Sequence, residues 1–157
     1  MMNTDAGPLV IRRVYHHNIH RVFNAFSTAD AVKQWFAPDD SIRTHVTQYD
    51  FCEGGAYRME FTLSEGIVTS LLGSFQTITE PTHLVFSFCW EKPDPHADIE
   101  TVVSIDFVSN GETTEIIVSQ IKLKDSGMRS RHAEGWLGTL HRLEKYLEMT
   151  EYKGEPN

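Results

Sequence analysis

Hydrophobic positions recur with two different periods along the chain, and the switches between them mark its elements. Leu9–Tyr15 mixes β-branched and aromatic residues with Arg12 and Arg13, which suits a strand at a sheet edge. The period then becomes helical. Asn18 is placed to cap a helix carrying Val22, Phe23 and Phe26 on one stripe, and a second short helix over 29–36 presents Val32, Trp35 and Phe36 before Pro38 stops it. Helices this short are unstable alone, so the two should pack as a pair against something larger.

From residue 42 to residue 123 the dominant period is two. Strands are predicted over 42–51, 57–63, 68–79, 84–90, 101–109 and 113–123. Tyr57, Met59, Phe61 and Leu63 alternate with Arg58, Glu60 and Thr62, and Leu84, Phe86, Phe88 and Trp90 alternate with Val85, Ser87 and Cys89. One sheet face is therefore dry and the other wet. Val103, Ile105 and Phe107 continue the dry face against Ser104 and Asp106. Gly54-Gly55 supplies a turn or bulge, Asn110-Gly111 a hairpin, and 92–98, with Pro93 and Pro95, a loop. After Asp125 to Gly127 the pattern changes for good: over 128–149, Trp136, Leu140, Leu143 and Leu147 fall at helical spacing with Leu137 beside them. That is a helix of about 33 Å at 1.5 Å per residue, long enough to cross a whole sheet.

The order predicts an α+β fold: a curved antiparallel β-sheet wrapped around a long C-terminal helix, with two short helices after the first strand. One domain over 9–149 accounts for nearly all the sequence, leaving 1–8 and 150–157 as flexible termini. Such a wrap encloses either a cavity or a solid core. Gly135 and Gly138 thin the helix beside Trp136, which admits either close packing or a ligand.

Composition narrows the function. A chain of 157 residues can build one core without a metal or disulfide staple. Cys52 and Cys89 each sit in an apolar run and read as buried small hydrophobes. With 14 basic and 22 acidic residues the net charge is −8, a poor platform for nucleic acid or anionic lipid. The first residues lack a secretory pattern, and no apolar stretch approaches the roughly 20 residues of a membrane-spanning helix. The expectation is a cytoplasmic protein without membrane insertion.

Candidate chemistry concentrates on the dry face. Tyr57, Met59, Phe61, Phe75, Phe86, Phe88, Trp90, Val103 and Ile105, with His132, Trp136 and Leu140 from the helix, would line a cavity that holds an apolar or aromatic molecule, or else form an ordinary aromatic core. His132, one turn before Trp136, is the sharpest polar candidate. A neutral imidazole there could orient a ligand or move a proton, with Tyr57 hydrogen-bonding to developing negative charge; alternatively it sits at the mouth, bonded to backbone or water. His16, His17 and His20 cross a strand-to-helix junction and read as surface residues; no metal and no cofactor are expected. Arg129 and Arg131 read as a solvated face, or as groups that meet a carboxylate ligand or an acidic partner.

Several motifs resemble the START-like, or SRPBCC, superfamily, in the branch related to the C-terminal domain of the activator of the heat-shock-protein-90 ATPase. They are Ala25-Phe26 with the Trp35-Phe36-Ala37-Pro38 helix end, the Gly54-Gly55-Ala56-Tyr57-Arg58 strand entrance and Gly73. Glu80-Pro81-Thr82-His83-Leu84-Val85-Phe86, Thr113-Thr114-Glu115, and Gly135-Trp136 with Leu140, Leu143 and Leu147 complete the set. The likeness spans about 10–149. It implies a helix-grip fold, usually with an elongated apolar cavity beneath the helix, and it limits function without naming it. Binding of a small hydrophobic or aromatic ligand is the leading expectation. The alternatives are a cyclase- or dehydratase-like enzyme using the same pocket, and a chaperone-associated or stress-response interaction module. The length leaves no room for the separate N-terminal chaperone-binding domain of the branch's eukaryotic co-chaperones, which weighs against a chaperone partner. A homodimer through a strand edge or helix face is a further expectation.

Overall fold

The computed structural model describes residues 6–151, with side chains to residue 149. The remaining positions of the two segments expected to be flexible, 1–5 and 152–157, lie outside the described residues. At the near end the chain is already held: the Ala6 amide donates to the Leu123 carbonyl at 3.0 Å, and the Pro8 carbonyl accepts from Arg129 Nη2 at 3.0 Å.

Seven strands form one antiparallel sheet. β1 (Leu9–Tyr15) is followed by α1 (Ile19–Asn24) and α2 (Ala29–Trp35), then by β2 (Arg43–Tyr49), β3 (Ala56–Thr62), β4 (Val68–Thr79), β5 (His83–Trp90), β6 (Thr101–Ser109) and β7 (Thr114–Ile121). The spatial order is β1-β7-β6-β5-β4-β3-β2. β2 to β7 thus run as a continuous meander of neighbours, and β1 adds alongside β7. The two edges are the first two strands in sequence, so the helix pair carries the chain from one side of the sheet to the other.

Local chemistry explains both short helices. Asn18 Oδ1 accepts from the Arg21 amide at 3.0 Å and Thr28 Oγ1 from the Ala31 amide at 3.2 Å, each satisfying a free N–H of the first turn. α1 stops at Asn24, so Phe26 lies beyond it rather than on its stripe. Its ring still enters the core, edge-on to Trp35 at 4.8 Å and Phe107 at 5.4 Å.

The dry face predicted from alternation is the buried one. Tyr57, Met59 and Phe61, Leu84, Phe86 and Phe88, and Val103, Ile105 and Phe107 all lie in the core. Ser87 departs from the expected wet side and is 5% exposed. Its Oγ accepts the Ser74 amide of β4 at 2.9 Å, in the regular stretch of the β4–β5 pairing just before the register shifts between Phe75 and Thr77. The cysteines depart as well. Cys52 is exposed in the turn before β3, and Cys89, on the outward side of β5, is only half-buried.

α3 (Ser126–Glu151) lies across the concave face for about 39 Å at 1.5 Å per residue. Asp125 Oδ1 accepts the Met128 amide at 2.9 Å and starts it. Trp136, Leu140, Leu143 and Leu147 turn inward, as the spacing predicts, while Leu137 faces out at 54% exposure. Two contacts clamp its middle. The Tyr15 hydroxyl donates to the Leu140 carbonyl at 2.8 Å inside the core, and the backbone at Gly138 runs so close to Pro38 that a Cβ there would lie 2.0 Å from the Pro38 oxygen.

Candidate functional site

The space between sheet and helix is filled at one end and open at the other. At the filled end a void of about 20 Å³, room for about one water, is bounded by Tyr57, Met59, Phe75, Phe86 and their neighbours. Val103, Ile105 and Leu140 are fully buried in packed core and border neither space. At the open end lies a groove of about 590 Å³, within the size range of small-molecule sites. The sequence-predicted Phe61, Phe88, Trp90, His132 and Trp136 all line it. The predicted wall is therefore divided, with only its outer part facing an accessible space.

Leu63, the last residue of the alternating run through β3, also lines the groove, and three segments that alternation did not single out complete it: Phe36 and Asp39 at the exit of α2, Ile67 in the turn after β3, and Pro93 to Pro95 in the loop after β5. The available signals were the two prolines directly after an aromatic strand, and helical spacing. Arg131, His132, Gly135, Trp136 and Thr139 fall at i, i+1, i+4, i+5 and i+8, one face of α3.

The ring nitrogens of His132, Trp90 and Trp136 and the Asp94 carboxylate are paired within the protein. His132 Nδ1 lies 2.8 Å from the Met128 carbonyl, and the Trp90 indole N–H donates to His132 Nε2 at 3.0 Å. A carbonyl only accepts and an indole only donates, so the partners fix a neutral imidazole protonated on Nδ1. Burial, chiefly, pushes its pKa below the ordinary histidine value, and the Met128 carbonyl opposes this only in part. The Trp136 indole donates to Gln120 Oε1 at 2.9 Å, and Gln120 Nε2 donates to Thr101 Oγ1 at 2.9 Å, both inside the core. The Tyr57 hydroxyl donates to the Ser87 carbonyl at 2.7 Å, and burial holds its pKa well above the ordinary phenol value. It belongs to the filled end, away from His132 and the groove.

Arg131 is tied down rather than solvated. It grips Asp94 with two hydrogen bonds, Nη1 to Oδ1 at 2.8 Å and Nη2 to Oδ2 at 2.6 Å, and its guanidinium lies 5.0 Å from the Trp90 ring centroid. Asp94 is 8% exposed and also accepts the His96 amide at 2.8 Å. Burial alone would raise the Asp94 pKa, but the hydrogen bonds from Arg131 and His96 and the Arg131 charge outweigh it and hold the carboxyl below its ordinary value.

His16, His17 and His20 line a separate depression of mixed polarity, about 790 Å³, beside the end of α3, and His17 is buried there rather than on the surface. Among the described residues no three His, Cys, Asp or Glu side chains come together as a metal site would require, and no helix is long and apolar enough to cross a membrane.

A curved sheet gripping a long helix, with an aromatic groove opening between them at one end, defines a helix-grip protein. The family described as Activator of Hsp90 ATPase homolog 1-like protein matches residues 16–148, and the chain belongs to that family. The resemblance drawn from the sequence motifs and the helix-grip fold both hold. Similar solved structures include a protein from Chromobacterium violaceum, 19% identical with a TM-score of 0.80, covering 90% of this chain and 97% of that one. The AHSA1 protein from Silicibacter pomeroyi is 21% identical with a TM-score of 0.80, covering 90% and 98%. One from Arthrobacter aurescens is 15% identical with a TM-score of 0.81, covering 92% and 87%. At these identities the likeness is one of fold. No curated protein matches the chain.

Proposed function

We propose that the protein binds a small, flat apolar or aromatic molecule in the groove between the sheet mouth and α3. The observation that carries this reading is the convergence of Phe36, Phe61, Phe88, Trp90 and Trp136 on one accessible space of about 590 Å³. Burying a ligand there costs few polar groups their partners, because the His132, Trp90 and Trp136 nitrogens are already satisfied. The same hydrogen bonds favour binding over proton transfer: the His132 Nε2 lone pair is engaged by Trp90, and the Tyr57 hydroxyl is committed to Ser87. A proton-transfer role would need His132 to exchange Trp90 for a substrate.

Gly135 makes the test direct. It lines the groove, and a Cβ built on it meets nothing within 4 Å, so a larger side chain there points into the open space. Two of the protein's tryptophans, Trp90 and Trp136, report on the same space. Titration with neutral naphthalene-sized probes is expected to give saturable change in tryptophan emission, abolished in Gly135→Leu while circular dichroism is retained. Equal saturable binding to a folded Gly135→Leu, or no binding across the panel, would overturn the reading.

A further inference from the structure

The groove's aromatic rings form a closed circuit. Phe36 lies 6.4 Å from Phe61, Phe61 lies 5.9 Å from Trp90, Trp90 lies 5.7 Å from Phe88, Phe88 lies 6.2 Å from Trp136, and Trp136 returns to Phe36 at 5.8 Å, all between ring centroids. An aromatic ring carries partial negative charge on its faces and positive charge at its edge, so wherever the collar turns a face to the groove it attracts positive charge as well as apolar surface. Trp90 already holds one cation this way, the Arg131 guanidinium.

The charges at the rim point in the same direction. Arg131 is the basic residue of the lining, and the buried Asp94 carboxylate neutralises it. His132 stays neutral. Asp39, from the segment after α2, and Glu134, from α3, both exposed, are the other acidic residues of the lining. The Ser41 hydroxyl and amide hold the Asp39 carboxyl below its ordinary pKa, and it carries its charge at neutral pH. The nearby Arg142 and Lys145 share one carboxylate, Asp40, at 2.9 and 3.4 Å, and the Arg142 charge also favours ionised Asp39, so the acidic groups around the mouth outnumber the basic ones by a single charge. The mouth therefore has a negative excess, on a protein of net charge −8.

We propose that the groove selects ligands in which an apolar or aromatic body carries a positively charged amine or quaternary ammonium group, and that it discriminates against the matching carboxylate. The collar takes the body and the face-on cation; Asp39 and Glu134 supply the long-range attraction. This rests on the groove being a ligand site, and it adds the charge of the ligand to that reading.

Three matched probes test it by isothermal titration calorimetry at pH 7.5 and low salt: 2-naphthylmethylammonium, 2-naphthalenemethanol and 2-naphthoate. The cation is expected to bind roughly fivefold to thirtyfold more tightly than the alcohol, the span of a cation–π contact from exposed to desolvated. The carboxylate should bind more weakly than both. Raising the salt to about 0.5 M should shrink the gap, since the rim charges are open to screening. In the Asp39→Asn/Glu134→Gln double variant the cation-to-alcohol ratio should fall but stay above one, because the aromatic collar is intact, and its dependence on salt should shrink. Binding of the alcohol with no advantage for the cation would overturn the charge preference and leave the binding site standing. Failure of all three probes would overturn both.

Discussion

His132 shows how one residue's environment decides its chemistry. A histidine one turn from a tryptophan on an apolar helix face invites a catalytic reading, yet the fold places a carbonyl at one ring nitrogen and an indole N–H at the other. Protonating Nε2 would set two donors against each other inside a desolvated wall. The linkage sign follows from the lowered pKa: between that depressed value and the ordinary value near 6.5, the unfolded chain binds more protons than the folded one. The histidine's contribution is thus fully present above about pH 6.5 and is lost as the pH falls through the folded value. Urea midpoints measured from pH 7.5 to 5 are expected to fall on the acid side, with a shallower fall in His132→Gln. Equal slopes in the two proteins would remove His132 as a source of that dependence.

At the scale of the element, α3 carries two glycines three residues apart that do different work. Gly138 is a contact: a side chain there meets the Pro38 carbonyl backbone, so Gly138→Ala must push the helix away from the α2 exit. Gly135 touches nothing with its missing Cβ, and glycine inside a helix costs about 0.8–1.0 kcal/mol relative to alanine. Gly135→Ala is therefore expected to stabilise the protein by about 1 kcal/mol, and Gly138→Ala to destabilise it by about 1–3 kcal/mol, the usual cost of overpacking. Denaturant unfolding of both variants checks this, and a stabilised Gly138→Ala would contradict the packing. The sequence shows both glycines near Trp136 but not which faces the groove, because that depends on where Pro38, nearly a hundred residues earlier in the chain, comes to rest. The strands are easier to read. Alternation over Tyr57, Met59 and Phe61, or over Val103, Ile105 and Phe107, states its own burial, since the period of two is local. Ser87 escapes that rule: its hydroxyl accepts the Ser74 amide of the neighbouring strand, a contact that alternation does not show.

In the whole molecule, the groove mouth is assembled from segments that meet only in the folded state, which is why its polar frame is invisible in a linear reading of Arg131 or of the proline-rich loop. The Asp94 carboxylate, on the loop between β5 and β6, binds Arg131 of α3 through both oxygens and the His96 amide of its own loop, and it receives Thr69 Oγ1 of β4 at 3.4 Å. One nearly buried charge thus joins the sheet, a loop and the long helix at the open end, where apolar packing is thinnest. Breaking such a pair leaves Arg131 without its counter-charge, held by His96 Nδ1 at 2.7 Å and the Trp90 ring. Arg131 keeps a side-chain exposure of 36%, so water recovers part of the loss and the expected cost of Asp94→Asn is about 1–3 kcal/mol. The pH dependence has a definite sign. The Asp94 pKa is depressed, so its contribution is fully present above the ordinary carboxyl value near 4 and is lost as the pH falls through the folded value. The stability gap between wild type and Asp94→Asn should accordingly be wide at pH 7 and narrow steadily below pH 4. The exposed Arg12–Glu115 pair, at 3.7 Å with Arg12 61% exposed, offers the contrast: Glu115→Gln should shift the unfolding midpoint little at any pH. A gap for Asp94→Asn that stays constant from pH 7 to pH 3 would mean that the carboxylate's charge does not hold the mouth together, and that the loop keeps its place by packing alone.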